Sequence, residues 1–121
     1  ELLKINDLIV YPGAELPVID AIKLGGPGCI SATANINPTN IGKVIELCHR
    51  NNWEEAEDLH KSVREVRYLF QDYSAIPAQK AMLAKKYNDP RWNNIRPPLE
   101  RLSDSKANEL EIKLKEYSFE F

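Results

Sequence analysis

The 121-residue sequence predicts an α/β fold with a parallel sheet, of which these residues supply two short strands followed by several helices. Three observations predict it: two short apolar runs, helical segments that alternate with them, and a second half with helical periodicity only. Two strands joined by a helix form a βαβ unit, whose outer backbone groups need further parallel neighbours. Because an isolated two-stranded sheet is marginally stable at best, we expect the neighbouring strands to lie outside these residues.

The first apolar run covers residues 7–11 and is typical of a strand buried on both faces of a parallel sheet. Pro12 ends it. Apolar residues between 16 and 24 then recur at spacings of three and four, and Pro17 is tolerated in a first helical turn. The pair Gly25-Gly26 predicts the end of this helix, because glycine adopts the left-handed conformation found at helix C-termini.

A second, very short strand is predicted at residues 29–31. Asn37 followed by Pro38 predicts the start of the next helix, with a capping side chain and proline at the first helical position. The apolar stripe of this helix consists of Ile41, Val44, Ile45 and Cys48.

The remaining sequence predicts helices alone. One apolar stripe runs through a charged segment and consists of Ala56, Leu59, Val63, Val66 and Phe70. After a break at residues 73–76, Pro77 opens another helix, and residues 88–98, with three prolines, predict an extended connection. Ser103 is placed to cap a last helix, whose hydrophobic staple and apolar face consist of Leu102, Ala107, Leu110, Leu114 and Tyr117.

Composition excludes several classes of partner. Sixteen basic and eighteen acidic residues give a net charge of −2, which is too balanced to indicate nucleic acid or an anionic membrane. No apolar run approaches the roughly 20 residues that span a bilayer. Cys29 and Cys48 show no metal or redox spacing, and the two histidines, His49 and His60, lack further ligands, so we expect no metal site and a reduced, cytoplasmic setting.

Residues 25–36, Gly-Gly-Pro-Gly-Cys-Ile-Ser-Ala-Thr-Ala-Asn-Ile, resemble the last barrel strand of the dihydrodipicolinate synthase/N-acetylneuraminate lyase family. The family pattern Gly-Gly-x-Gly-x-Ile-Ser-x-x-Ala-Asn is met at every position. Residues 10–15 are similar to its seventh strand and following loop, residues 76–81 to its Pro-x-Lys-x-Ala helix start, and residues 96–103 to its Arg-x-Pro-Leu-x-x-Leu-Ser run. The resemblance therefore covers nearly the whole chain.

The resemblance implies a (β/α)₈ barrel with a helical extension, commonly assembled as a homotetramer. Residues 1–52 would be strands seven and eight with their helices, and residues 53–121 the extension. It also implies a pyruvate-dependent aldolase or synthase without a cofactor, in which a sixth-strand lysine forms a Schiff base with pyruvate and the second substrate is an aldehyde or oxoacid. Neither that lysine nor the proton-relaying tyrosine can be matched here, so we assign no catalytic residue and expect these residues alone to be inactive.

Three residues are carried over as candidate substrate-binding residues. Gly13 and Glu15 match the loop after the seventh strand, which faces the non-pyruvate part of the substrate in the family. Ile30 matches a residue whose backbone carbonyl lies beside the lysine and the pyruvate carboxylate. Sialic-acid lyases have a second acid in place of Leu16 and a serine in place of Ala32, and both departures count against a sialic-acid substrate.

Each candidate also has a simpler interpretation. Residues 25–28 could cradle a phosphate, but a helix stop is favoured because no Lys-Ser ending follows. Glu15 could be a solvated charge in a first helical turn, and Gly13 a turn residue only. Lys80 lies in the helical segment, where a structural role is favoured over a nucleophilic one. The alternative function is a non-catalytic helical interaction or scaffold module derived from such a barrel.

Overall fold

The computed structural model describes residues 2, 5, 7–117 and 119. Five α-helices lie within them: α1 to α5 are Val18–Lys23, Pro38–His49, Trp53–Gln71, Ala75–Lys86 and Asp104–Glu116. The chain divides into two compact units, the first ending at Arg64 and the second beginning at Glu65, both within α3. Within the described part of the chain, no helix is long and apolar enough to cross a membrane. The division between barrel and extension at residues 52 and 53 stays a prediction.

The two predicted strands do not form in this chain. Residues 7–11 and 29–31 are irregular, and no strand occurs among the described residues. A backbone hydrogen bond joins the second segment to the residue directly after the first, from the Ile30 N–H to the Pro12 carbonyl at 3.0 Å. A parallel ladder needs a series of such bonds and further strands on its flanks. Ile9, expected to be buried in a strand covered on both faces, is 73% exposed, and Ile30 of the second segment is 71% exposed.

The first unit is built on α1 and α2, which pack against each other. Its buried core consists of Val18, Ile19, Ile41, Val44, Leu47, Cys48, Ala56 and Val63. The predicted stripe of α2 is confirmed, with Ile45 half-buried beside it. Helix α2 begins at Pro38 as predicted, but the side chain of Asn37 makes no capping hydrogen bond. Its backbone ψ of 45° is far from the extended values usual for an N-cap, which accounts for the missing bond.

The glycine pair ends α1 as the sequence predicts. Gly25 has a φ of +92°, which glycine adopts without strain. Its N–H donates to the Ile22 carbonyl at 2.9 Å, and the Gly26 N–H donates to the Ala21 carbonyl at 2.8 Å. This pair of bonds is a Schellman motif. These two bonds occupy the N–H groups of Gly25 and Gly26, which a phosphate loop at residues 25–28 would need to present to its ligand. The helix-stop interpretation is therefore confirmed.

The second unit contains α4 and α5 and their loops. Its buried apolar side chains include Ala78, Ala81, Met82, Leu83, Leu102, Ala107, Leu110 and Leu114. Ser103 caps α5, because its side chain accepts a hydrogen bond from the Lys106 N–H at 3.4 Å. The predicted staple residues on either side of this cap are both buried. Helix α4 begins at Ala75, two residues before Pro77, which therefore lies in the first turn.

The predicted extended connection at residues 88–98 is only partly extended. A 3₁₀ turn, Pro90–Asn93, interrupts it. The Asp89 side chain caps this turn by accepting from the Arg91 N–H at 3.0 Å and from the Arg91 guanidinium. That guanidinium holds the pKa of the Asp89 carboxyl below its usual value. The aspartate before the proline therefore overrides the extended tendency of a proline-rich segment.

Candidate functional site

The candidate substrate-binding residues lie on two adjoining loops of the first unit. Gly13 and Glu15 belong to the loop before α1, and Ile30 to the loop before α2. The Ile30 N–H donates to the Pro12 carbonyl at 3.0 Å. The next residue, Ser31, donates its hydroxyl to Oε2 of Glu15. A backbone bond and a side-chain bond therefore join the two loops.

Glu15 is fully buried, with an exposed fraction of 0%. The interpretation of Glu15 as a solvated charge is therefore wrong. Its backbone carbonyl accepts from the Val18 N–H at 3.1 Å, which places it directly before α1. A polar group removed from water must find hydrogen-bonding partners within the protein, and the Ser31 hydroxyl is one of them.

Ser31 connects this carboxylate to the following turn. Its hydroxyl donates to Glu15 and accepts from the Thr33 N–H at 3.3 Å. The second bond caps the 3₁₀ turn Ala32–Asn35, and the extended backbone of Ser31 is typical of an N-cap. The turn is completed by the Asn35 side-chain amide, which donates to the Ala32 carbonyl at 2.9 Å. One hydroxyl thus fixes both the Glu15 side chain and the start of this turn.

His60 holds the same loop from α3. It is buried, and its Nε2 lies 2.9 Å from the Glu15 carbonyl. Because a carbonyl oxygen only accepts, Nε2 must carry the hydrogen. His49 makes a similar contact from α2, with Nε2 3.0 Å from the Pro27 carbonyl. Both histidines therefore bind backbone, and no group of three potential metal ligands occurs within the described residues.

Sequence reasoning missed Ser31 and His60 as parts of this site. A usable signal existed for His60, which is four residues after Ala56 and three before Val63 on the buried stripe of α3. A histidine at that spacing is placed on the buried face, where its ring needs a hydrogen-bonding partner. The partner, Glu15, is 45 residues away in sequence and could not be identified from local pattern.

Lys80 and the two cysteines have structural contacts. The Lys80 amine donates to the Asn94 carbonyl at 2.5 Å and so ties α4 to the following loop. This contact supports the structural interpretation over the nucleophilic one. Cys48 lies in the core of the first unit, where burial raises the pKa of its thiol, and Cys29 is half-buried against the same core.

Two surface cavities lie in the second unit. One of about 350 Å³ is lined by Lys85, Asn88, Asp89, Leu102 and Asp104 among others. Another of about 410 Å³ is lined by Tyr73, Ser74, Arg101, Ser103 and Lys106 among others. Neither is lined by Gly13, Glu15 or Ile30, so the candidate substrate residues lie on adjoining loops and outside both cavities.

Sequence comparison relates the chain to one enzyme family. The profile of the Dihydrodipicolinate synthetase family matches residues 3–117. The 4-hydroxy-tetrahydrodipicolinate synthase of Haloarcula marismortui is 29% identical over 106 residues, 87% of this chain and 34% of the relative. That of Methanococcus aeolicus is 30% identical over 112 residues, 92% of this chain and 38% of the relative. The chain therefore spans little more than a third of the curated relatives that it matches.

Structure comparison gives the same relationship at the level of fold. The N-acetylneuraminate lyase from Fusobacterium nucleatum complexed with pyruvate superposes with a TM-score of 0.80 at 20% identity, over 92% of this chain and 37% of that one. A monomeric dihydrodipicolinate synthase variant superposes with a TM-score of 0.76 at 23% identity, over 94% and 37%. The chain thus has the fold of part of each of these larger proteins.

Proposed function

Because this chain belongs to the dihydrodipicolinate synthetase family over residues 3–117, we propose that it is the C-terminal part of a Schiff-base-forming, pyruvate-dependent aldolase or synthase. The enzyme would make or break a C–C bond to pyruvate, with an aldehyde or oxoacid as the second substrate. The family match carries this proposal, and curated relatives that are 4-hydroxy-tetrahydrodipicolinate synthases support it. Homo-oligomeric assembly and a cytoplasmic location stay predictions.

The proposed architecture is a closed (β/α)₈ barrel, in which the two irregular apolar segments become strands seven and eight. The bond from the Ile30 N–H to the Pro12 carbonyl supports this, because it holds the second segment beside the end of the first. Their exposed side chains support it too, since Ile9 and Ile30 form apolar surface of the kind that further protein covers. Strands supplied by the remainder of the enzyme would satisfy both outer edges.

In the proposed chemistry, a lysine amine outside these residues adds to the ketone of pyruvate and water leaves. The protonated imine then withdraws electrons from the adjacent carbon, so that a C–C bond there can form or break. This chain would contribute Gly13, Glu15 and Ile30 to the substrate site. Active sites of such barrels lie at the C-terminal ends of the strands, where the loop after strand seven and the end of strand eight would lie. Gly13 is exposed, and the proposed contact of Ile30 with pyruvate is made by its backbone carbonyl and not by its side chain.

A chimera tests the proposal, with this chain replacing the matched 38% of the Methanococcus aeolicus synthase. Pyruvate and sodium borohydride should leave one covalent adduct on the folded chimera, at a lysine of the Methanococcus part. The 121-residue chain alone, treated in the same way, should show no adduct by mass spectrometry. A folded chimera without adduct would favour the alternative, a non-catalytic helical interaction or scaffold module. An adduct on Lys80 would contradict the assignment of the lysine to the other part.

A further inference from the structure

We propose that Glu15, Ser31 and His60 form a latch that holds the two substrate loops, residues 12–15 and 30–31, in a fixed arrangement. All three are positioning residues. The proposal rests on the proposed function and deepens it. Glu15 contributes to the substrate site by acting on Ser31 and does not touch the substrate.

The first step is that all three side chains are buried. Glu15 is 0% exposed, and Ser31 and His60 are also buried. With the loops in this arrangement, additional polypeptide packed on the chain would add to the cover of these side chains. Direct contact with a substrate is therefore assigned to Gly13, which is exposed, and to the backbone carbonyl of Ile30.

The second step is the attachment of the Ile30 peptide. Its N–H is held by the Pro12 carbonyl at 3.0 Å. The next side chain, Ser31, is held by Glu15 and by the Thr33 N–H, so the hydroxyl uses both its donor and its acceptor capacity. The peptide group between these two attachments includes the Ile30 carbonyl, which is the atom proposed to lie beside pyruvate. Its direction is thus set by contacts on both sides.

The third step is the fixation of Glu15 itself. Its backbone carbonyl accepts from the Val18 N–H at 3.1 Å and from His60 Nε2 at 2.9 Å. A carbonyl oxygen has two lone pairs, and both are used here. The start of α1, helix α3 and Ser31 therefore hold Glu15 from three directions. Such preorganisation matters for catalysis, because misplacement by ~1 Å costs up to about 10²-fold in rate.

Two substitutions of Glu15 in the chimera separate a positioning role from direct substrate contact. Glu15→Gln keeps the length and an oxygen that accepts from Ser31, but removes the charge. Glu15→Asp keeps the charge but is one methylene shorter, so it loses that bond. The measured quantity is the pyruvate concentration that gives half-maximal borohydride trapping. Glu46→Asp is the control, since Glu46 is exposed on α2 and pairs with Arg50.

A latch predicts that Glu15→Asp raises the half-saturating pyruvate concentration about tenfold, equivalent to ~1.4 kcal/mol, while Glu15→Gln and Glu46→Asp leave it within a factor of about two. Ser31→Ala should behave like Glu15→Asp, and Ser31→Thr should restore the original value. A carboxylate that binds only the second substrate would leave pyruvate trapping unchanged in all of these variants. That result would overturn the proposal.

A second measurement on the 121-residue chain separates failure of the latch from failure of the proposed function. Amide hydrogen exchange followed by NMR should be about tenfold faster at Ile30 and Thr33 in Ser31→Ala than in Ser31→Thr. This factor corresponds to the loss of about one hydrogen bond. Exchange of the Val44 amide of α2 should be the same in both variants. His60→Leu should accelerate exchange at Ile30, and His60→Gln, which keeps an N–H near Nε2, should not. The latch would be overturned if exchange rates were equal in Ser31→Ala and Ser31→Thr, and equal in His60→Leu and His60→Gln. If exchange in the 121-residue chain changes as expected but the chimera traps no pyruvate, the latch is supported and the proposed function is contradicted.

Discussion

A glycine at the end of α1 offers a sharp test of how the first unit is built. A Cβ added to Gly26 would lie 2.9 Å from the Ala21 carbonyl oxygen and 3.3 Å from the Val10 carbonyl oxygen. Both are backbone atoms and cannot rotate away. Residue 26 must then move, and the 2.8 Å bond from its N–H to Ala21 is lost. Gly42 is the matched control, because a Cβ there meets open space on helix α2.

The expected cost follows from these contacts. Loss of a backbone hydrogen bond costs ~1 kcal/mol, and a strained backbone adds about 1–3 kcal/mol. We therefore expect Gly26→Ala to lower the free energy of unfolding of the first unit by about 2–4 kcal/mol. Gly42→Ala should raise it by roughly 0.5–1 kcal/mol, because alanine is the better helix former.

Urea unfolding of the first unit can be followed by the fluorescence of Trp53, which packs against its core. A Trp92→Phe background removes the tryptophan of the second unit from the signal. The reasoning would be refuted if Gly26→Ala changed the free energy of unfolding by less than about 0.5 kcal/mol, or if Gly42→Ala were equally destabilising.

Three further predictions concern the core, a helix cap and thiol access. Burial raises the pKa of the Cys48 thiol above its ordinary 9.0, so the folded state keeps this proton at a pH where the unfolded state has lost it. The urea midpoint should therefore fall as the pH rises above about 9, and in Cys48→Ala it should depend less on pH. Ser103→Ala should destabilise the second unit by ~1 kcal/mol through loss of the α5 cap, whereas Ser105→Ala inside the helix should change stability by less than ~0.5 kcal/mol in thermal unfolding. Under native conditions a thiol reagent should label Cys29 faster than Cys48, since Cys29 is only half-buried, and equal rates would contradict the packing described here.

The helices could be predicted from the sequence because their signals are local. The periodic stripes of α2 and α3 fall within single helices, and the stop at Gly25-Gly26 and the cap at Ser103 each depend on contacts within five residues. Helix caps were harder to predict where the backbone conformation decides whether the capping hydrogen bond forms. Asn37 has the right side chain, but its ψ of 45° prevents the expected bond.

The strands and the burial of Glu15 could not be predicted in the same way. Residues 7–11 and 29–31 have strand composition, but a strand exists only when neighbours complete its ladder. Glu15 is buried because Ser31 and His60, 16 and 45 residues away, supply its hydrogen bonds. The family resemblance pointed to the loop that contains Glu15, but it could not predict where the Glu15 carboxylate points, because non-local contacts decide that.

Hydrogen exchange of the backbone amides in residues 8–11 and 29–31 tests the proposed barrel most directly. In the 121-residue chain, we expect protection in these two segments to centre on Ile30, whose N–H is bonded to Pro12. In the chimera with the Methanococcus part, strands on both sides should protect the amides of both segments as continuous runs. Equal exchange in the folded chimera and in the chain alone would contradict the proposal that these segments are neighbouring barrel strands.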